Sequence, residues 1–283
     1  MPELPEVEAV CRLFRRGLEG KRIVRATVRP DDIVLGATPP EAFVAAIEGR
    51  RLESVGRKGK YWWLQFDAAP VVFGHLGMSG WVRPVASAGA PWTRLHSHGK
   101  AQQEEEDGTP RFLKLMLEAE DGTRLAMTDG RRLARLWLGE SVDADPRLRA
   151  LGRDAYEDLP DAQELSAIFG RSSAPIKALL LAQDRITGIG NWIADEVLFQ
   201  AGIFPGKRAK EMVPAEWSRL HTAITEVLAH AVEVEADYER FPADWLFHHR
   251  WGGGRGTTHL NGREIARETI GGRTTAWIPE LQR

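Results

Sequence analysis

Cysteine is almost missing from this chain: Cys11 is the only one in 283 residues. No disulfide can form within it. A cysteine-based zinc site is excluded as well, because it needs several thiolates or a Cys/His set at metal spacing. Long apolar runs are also lacking. No stretch of about 18 apolar residues occurs, which argues against a membrane-spanning helix. The acidic, proline-containing start has none of the apolar core of a signal peptide, so a cytoplasmic location is expected. Excess positive charge is the third absence. The formal net charge is −2, so composition lends no support to a polyanion binder, which tends to be basic overall. Any such role needs the cations gathered on one face. Residues 248–283 are a candidate, with Arg250, Arg255, Arg263, Arg267, Arg273 and Arg283 set against Glu264, Glu268 and Glu280.

What is present is enough for two domains, or one large domain with an appendage. Apolar residues make up 43% of the chain, an ordinary share for a core-forming protein. Residues 6–18 predict a helix with Val7, Val10, Cys11 and Phe14 on one face, ended by Gly17 and Gly20. Cys11 reads as a core residue. Short alternating runs follow at 22–28, 51–55, 61–66, 71–74, 81–84, 111–119, 124–128 and 133–138, and Pro40–Ile47 fits a short helix. Asp121-Gly122 is a hairpin signal. So much strand after one helix predicts a sandwich or a flattened barrel. Residues 85–110, rich in Ala, Gly, Ser, Gln and acids, read as a surface loop. His96 and His98 within it have no ligand set around them. A linker is expected near 139–148. Helices are then predicted at 161–169, 175–181, 191–201 and 214–234, and one small hairpin in the tail beyond about 240.

The first eight residues, MPELPEVE, carry the most chemistry. If the initiator Met is removed, Pro2 has a free secondary amine. An α-amino group titrates near ~8, so part of it is uncharged and nucleophilic at neutral pH, able to form a Schiff base with a sugar or carbonyl carbon. Glu3 and Glu6 lie close by and could move protons. The same residues also make a plain helix start, with Pro in the first turn and acids at the positive end of the dipole. The octet alone leaves both readings open.

GKYWWLQF at 59–66, HLGMSG at 75–80, TDGRRLAR at 128–135, APIK at 174–177, GIGNWIADEVLFQAGIFP at 188–205 and GGRTTAWIPELQ at 271–282 follow the octet in order. Together these stretches resemble the formamidopyrimidine-DNA glycosylase / endonuclease VIII family of base-excision repair enzymes, and the resemblance covers nearly the whole chain. With the pattern of elements it implies an α+β protein. An N-terminal β-sandwich with an opening helix spans 1–140, a helix–two-turns–helix domain spans 148–238, and a small zinc-less β-hairpin finger spans 239–283.

The resemblance also implies roles. Pro2 becomes the nucleophile, Glu3 the proton shuttle and Glu6 a residue that places the sugar. Lys60, alone a charged strand end, becomes an active-site lysine that contacts phosphate. Met78, Arg131 and Leu133 would fill the gap left by a flipped nucleotide, with Arg131 facing the orphaned base and Arg132 on phosphate. Lys177, Asn191 and Arg273 would grip phosphates around the lesion. Asn191 also fits a helix N-cap, and Asp195 and Glu196 fit cap and packing roles.

Two departures from the family pattern matter. Every finger cysteine is absent; Trp277, Ile278 and Leu281 stand where the last pair would be, so apolar contacts are expected in place of metal. The long Gly-containing loop that covers 8-oxoguanine is absent between Val234 and Trp251, and Leu133 stands where the family often has Phe. The expectation is a bifunctional DNA glycosylase and abasic-site lyase, acting as a monomer on double-stranded DNA with oxidised bases or abasic sites. It needs no cofactor, has no membrane partner, and has weak activity on 8-oxoguanine. A non-catalytic DNA-damage binder is the alternative. An RNA-associated protein sharing the helical motif leaves Pro2, Glu3 and Lys60 unexplained.

Overall fold

In the computed structural model, which describes residues 2–85, 104–105, 108–251 and 258–283, alternation in the first half of the chain becomes two antiparallel sheets. β1 (Ile23–Val28), β2 (Leu52–Lys58), β3 (Tyr61–Phe66), β4 (Val71–His75), β5 (Trp81–Pro84), β6 (Leu113–Ala119), β7 (Arg124–Thr128) and β8 (Arg135–Gly139) pair as β1-β6-β7-β5 and β2-β3-β4-β8. In β3 the side chains of Trp62, Leu64 and Phe66 are buried while the alternating ones are not, and in β6 Leu113, Leu115, Leu117 and Ala119 are buried, with Met116 and Glu118 less so and Lys114 buried against Asp31. The period of two puts one face of each strand into the core. Residues of both sheets share one apolar cluster. Two separate sheets over one core make a sandwich rather than a flattened barrel.

Helix α1 (Leu4–Leu18) touches β2 and β3 of one sheet and β5 and β7 of the other. It contributes Val7, Val10, Cys11, Phe14 and Leu18 to the shared core, with the Phe14 ring 5.3 Å from Trp62. The helix begins two residues earlier than its pattern predicts, because Pro5 is tolerated in the first turn, where an N–H has no intrahelical partner. Nor does Gly17 end it; a side chain there would meet Leu125 at 3.2 Å, so this glycine allows close packing inside the last turn. α2 (Pro40–Ile47) covers β1 and β4.

The expected linker at 139–148 is instead structured. Asp145 caps α3 (Pro146–Arg149) and accepts the Trp137 indole N–H at 2.7 Å, and the Arg147 guanidinium lies 4.1 Å over the Trp137 ring. The chain divides at Ala150/Leu151 into two units, Met1–Ala150 and Leu151–Arg283. Most of the expected 85–110 loop, including His96 and His98, lies outside the described residues.

In the second unit β9 (Arg153–Asp154) pairs in parallel with β10 (Ile186–Thr187). α4 (Ala162–Phe169) and α6 (Asn191–Ala201) pack on the long α7 (Pro214–Glu233), and α5 (Ile176–Leu180) packs on α6. Among the described residues the tail forms two hairpins where one is predicted: β11 (His259–Leu260) with β12 (Arg263–Glu264), and β13 (Ala266–Ile270) with β14 (Arg273–Trp277). The extra turn escapes sequence reading because two-residue strands carry no alternation. Leu246, Leu260, Ile265, Ala276 and Ile278 form a small core under the tail, with Phe199 of α6 against it. Trp277 packs on Phe204 at 4.4 Å, but Leu281 is 40% exposed and takes no part.

Candidate functional site

Three of the predicted catalytic residues lie together at the start of α1. Pro2, Glu3 and Glu6 are buried, Glu3 to 1% exposure. The Glu3 backbone N–H donates to Glu6 Oε2 at 2.9 Å, so Glu6 caps the helix that carries Pro2 and Glu3 at its tip. One turn further, buried Glu8 accepts from Arg57 Nε at 3.1 Å and from Arg15 Nη1 at 2.8 Å. Arg57 in turn donates to the Gly59 carbonyl at 3.1 Å. This buried ion pair ties the β2–β3 turn, which bears Lys60, to the first turns of α1. Sequence reading missed both partners, although Glu8 on a helix with Val7 and Cys11, and Arg57 in register with inward Val55, were visible as charges at core positions.

His75 closes the β4 end of the same sheet. Its ring lies 4.9 Å from Tyr61, and Nδ1 accepts the Gly77 N–H at 3.0 Å. Burial, then the charges of Lys60 and Arg135, push its pKa down to about 4. At neutral pH it is an uncharged acceptor that shapes the loop carrying Met78.

That loop and the Asp129–Leu133 loop are built around one carboxylate. Asp129, almost fully buried, accepts through Oδ1 from Ser79 Oγ at 2.5 Å and the Arg131 N–H at 3.1 Å. Oδ2 accepts the N–H groups of Leu133 and Ala134, both at 2.7 Å. Gly77 (φ 62°) makes the close approach possible, since a Cβ there would lie 2.2 Å from the Leu133 carbonyl oxygen. The result presents Met78 (46% exposed) and an exposed Arg131 on loops sharing one anchor, with Leu133 half-buried beside them.

Arg132 departs from its expected use. Its backbone is left-handed (φ 56°), and its guanidinium is paired with Asp31 at 3.0 Å and with Asp32. Burial alone would raise the pKa of Asp31, but hydrogen bonds from Arg132 and Lys114 outweigh it and hold the carboxyl far below its usual range. Arg132 is therefore a brace between two loops; a phosphate contact would have to compete with two carboxylates.

In the second unit Lys177 also turns inward. It is 0% exposed, with Nζ 2.6 Å from Asp195 Oδ1, 2.7 Å from Thr275 Oγ1 and 3.1 Å from the Thr274 carbonyl. Asp195 Oδ2 accepts from Arg250 Nη2 at 2.7 Å. Lys177 thus forms an internal tie between α5, α6 and the β13–β14 hairpin, and a phosphate would have to compete with its three buried partners. Asn191 is the first residue of α6 and Gly190 is its N-cap, so the capping expectation shifts by one residue. The Asn191 amide donates to the same Thr274 carbonyl at 3.0 Å. Arg273, next to Thr274, is exposed after the turn of Gly271 (φ 59°) and Gly272 (φ 74°). Gly271 lies against Ala178 of α5, where a Cβ would come within 2.8 Å. Lys177 and Asn191 together fix the strand that presents Arg273. Among the described residues no group of three His, Cys, Asp or Glu side chains could hold a metal ion, and no helix is long and apolar enough to cross a membrane.

An antiparallel sandwich carrying a buried Pro-Glu helix tip, and a helical unit carrying an arginine hairpin, define an α+β protein of two units. Residues 1–136 match the formamidopyrimidine-DNA glycosylase N-terminal domain, and residues 151–242 the formamidopyrimidine-DNA glycosylase H2TH domain. A formamidopyrimidine-DNA glycosylase of Arabidopsis thaliana is 38% identical over all of this chain and 71% of its own length. That of Rhizorhabdus wittichii is 34% identical over the full length of both. The chain belongs to the formamidopyrimidine-DNA glycosylase family. In fold it is similar to the Lactococcus lactis formamidopyrimidine-DNA glycosylase, solved non-covalently bound to DNA containing an abasic site, with a TM-score of 0.79 over the whole of both chains at 24% identity.

Proposed function

We propose that this protein is a bifunctional DNA glycosylase and abasic-site lyase of base-excision repair. Its substrate would be double-stranded DNA bearing oxidised bases or abasic sites, and its compartment the cytoplasm. The observation that supports this best is the burial of Pro2, Glu3 and Glu6 together at the tip of α1, next to a turn that bears Lys60 and is held by the Glu8–Arg57 pair.

In this reading, methionine removal exposes the Pro2 secondary amine. The nitrogen attacks C1′ of a flipped nucleotide as the glycosidic bond breaks. Glu3 delivers and recovers protons as the base leaves and the C1′–O4′ bond opens. The product is an iminium, which acidifies the C2′ protons. Loss of one of them expels the 3′ phosphate, and a second elimination expels the 5′ phosphate. Glu6 acts by holding Glu3's backbone. Lys60, Asn191 and Arg273 contact phosphates; Met78, Arg131 and Leu133 occupy the vacated space.

Borohydride should trap a covalent complex with an abasic-site oligonucleotide, and Pro2→Gly or a retained Met1 should abolish it. Trapping at full rate without Pro2 would exclude this nucleophile. The same experiment separates the enzyme from a damage binder that grips DNA without cutting it. With no long loop between Val234 and Trp251, 8-oxoguanine opposite cytosine should be cut more slowly than an abasic site; equal rates would remove the argument from the missing loop.

A further inference from the structure

Phe112 stands just before β6 with 47% of its surface exposed. An exposed apolar residue means little by itself. The backbone beneath this one is unusual: its φ is 63°, in the left-handed region that bulky side chains avoid. Such strain persists only where surrounding contacts over-determine it. Here the Phe112 carbonyl accepts the N–H of Asp129 at 3.0 Å, and the Leu113 N–H reaches back to Pro110 at 3.2 Å. The ring lies against Gly130, where an added Cβ would meet ring carbons at 3.1 and 3.3 Å. The Arg111 guanidinium sits 4.7 Å from the ring centroid. The fold therefore holds an aromatic ring in an unfavourable backbone state, half in solvent, on the residue that precedes Arg131.

Leu133, in contrast, offers only a half-buried aliphatic side chain, and its backbone is tied to Asp129. We propose that Phe112 is a DNA-stacking residue of this protein. Its exposed face would take an unstacked base beside Arg131, supplying the aromatic surface that Leu133 lacks, while Arg111 adds positive charge at the ring. Aromatic rings suit this use because every base has a π-face that can stack on them. The inference rests on the DNA-repair reading above and deepens it by naming a residue for the loop edge of the first unit.

Phe112→Gly separates binding from folding, because glycine adopts this φ without strain. In the full-length protein, Phe112→Gly is expected to keep or raise the thermal midpoint. It should weaken binding to a duplex with a tetrahydrofuran abasic analogue by on the order of tenfold. Phe112→Trp should stay within about threefold of the parent, since indole also stacks. Parent affinity in Phe112→Gly would overturn the inference while leaving the repair reading intact. So would a fall in thermal midpoint and affinity together in both variants, which is the mark of a packing role. A parent protein that fails to prefer the tetrahydrofuran duplex over an undamaged one would overturn the repair reading itself and this inference with it.

Discussion

The hydroxyl of Ser79 lies 2.5 Å from Asp129 Oδ1, across 50 residues of sequence. That contact joins the loop of Met78 to the loop of Arg131 and Leu133, whose N–H groups fill the rest of the same carboxylate. A single buried acid thus couples the two loops, as the proposed entry of Met78, Arg131 and Leu133 into one gap of a duplex would require.

Removing that acid should therefore cost stability and DNA binding together. Asp129→Ala leaves several buried donors without an acceptor, each worth about 1–3 kcal/mol when orphaned. We expect a loss of roughly 3 kcal/mol in urea denaturation and weaker binding of an abasic-analogue duplex. Asp129→Asn, which keeps one acceptor oxygen, should fall between. A variant as stable as the parent would remove Asp129 from its central place.

His75 gives a pH signature. Its folded pKa, about 4, lies below the ordinary 6.5. Between those values the unfolded chain binds more protons than the folded one. The stabilisation is therefore complete above pH 6.5 and is lost as pH falls toward 4. In an NMR titration the His75 ring should titrate near pH 4, and Lys60→Met should move its midpoint upward by removing a facing cation. A ring that titrates at its ordinary value in the parent would contradict the burial that shapes this loop.

Lys177 and Arg273 should behave in opposite ways although both were expected on phosphate. Lys177→Met breaks a fully buried pair and leaves Asp195 with Arg250 and the Ala276 N–H, at a cost of about 3 kcal/mol. Arg273→Ala removes an exposed side chain, so stability should change by less than about 0.5 kcal/mol. DNA affinity should fall, with the salt slope shallower by about one. Denaturation curves and salt-dependent binding of the two variants decide the matter. An unchanged stability in Lys177→Met would restore it as a surface contact.

Glu196 contributes with the opposite sign to His75. Burial, only partly offset by hydrogen bonds from Gln200 and the Phe247 N–H, pushes its pKa up to about 7 from 4.5. The folded state then binds more protons than the unfolded chain between these values. Its contribution is full below pH 4.5 and declines as pH rises through 7. Glu196→Gln, which can still accept the Phe247 N–H, should flatten this part of the stability profile in denaturation at successive pH values. An identical slope in the variant would show that Glu196 is not the titrating group.

What could be read from the sequence was what near neighbours dictate. The period of two in Tyr61–Phe66, the turn at Asp121-Gly122 and the helix at Asn191–Ala201 depend on residues a few positions apart, and they appear with those bounds. The clustering of Pro2, Glu3 and Glu6 is of the same kind, because an N-cap residue and the one three positions on lie side by side at a helix start. The loops that carry Met78 and Arg131 were also legible, since glycines mark where a backbone must turn tightly or approach another closely.

Which partner each charge found was not legible. Lys177 and Thr275 are 98 positions apart, Arg132 and Asp31 are 101 apart, and Arg57 and Glu8 are 49 apart. A cation reads the same in sequence whether it faces phosphate or a buried carboxylate. Only the packed chain decides, because burying a charge without an opposite charge is too costly to persist. The left-handed Phe112 belongs to this second class, since local preference opposes it and contacts such as those with Asp129 and Gly130 hold it there. The sequence by itself thus determined where the turns, helices and chemical groups lie along the chain. The tertiary structure decided which of those groups are spent on each other, and which are left to face a ligand.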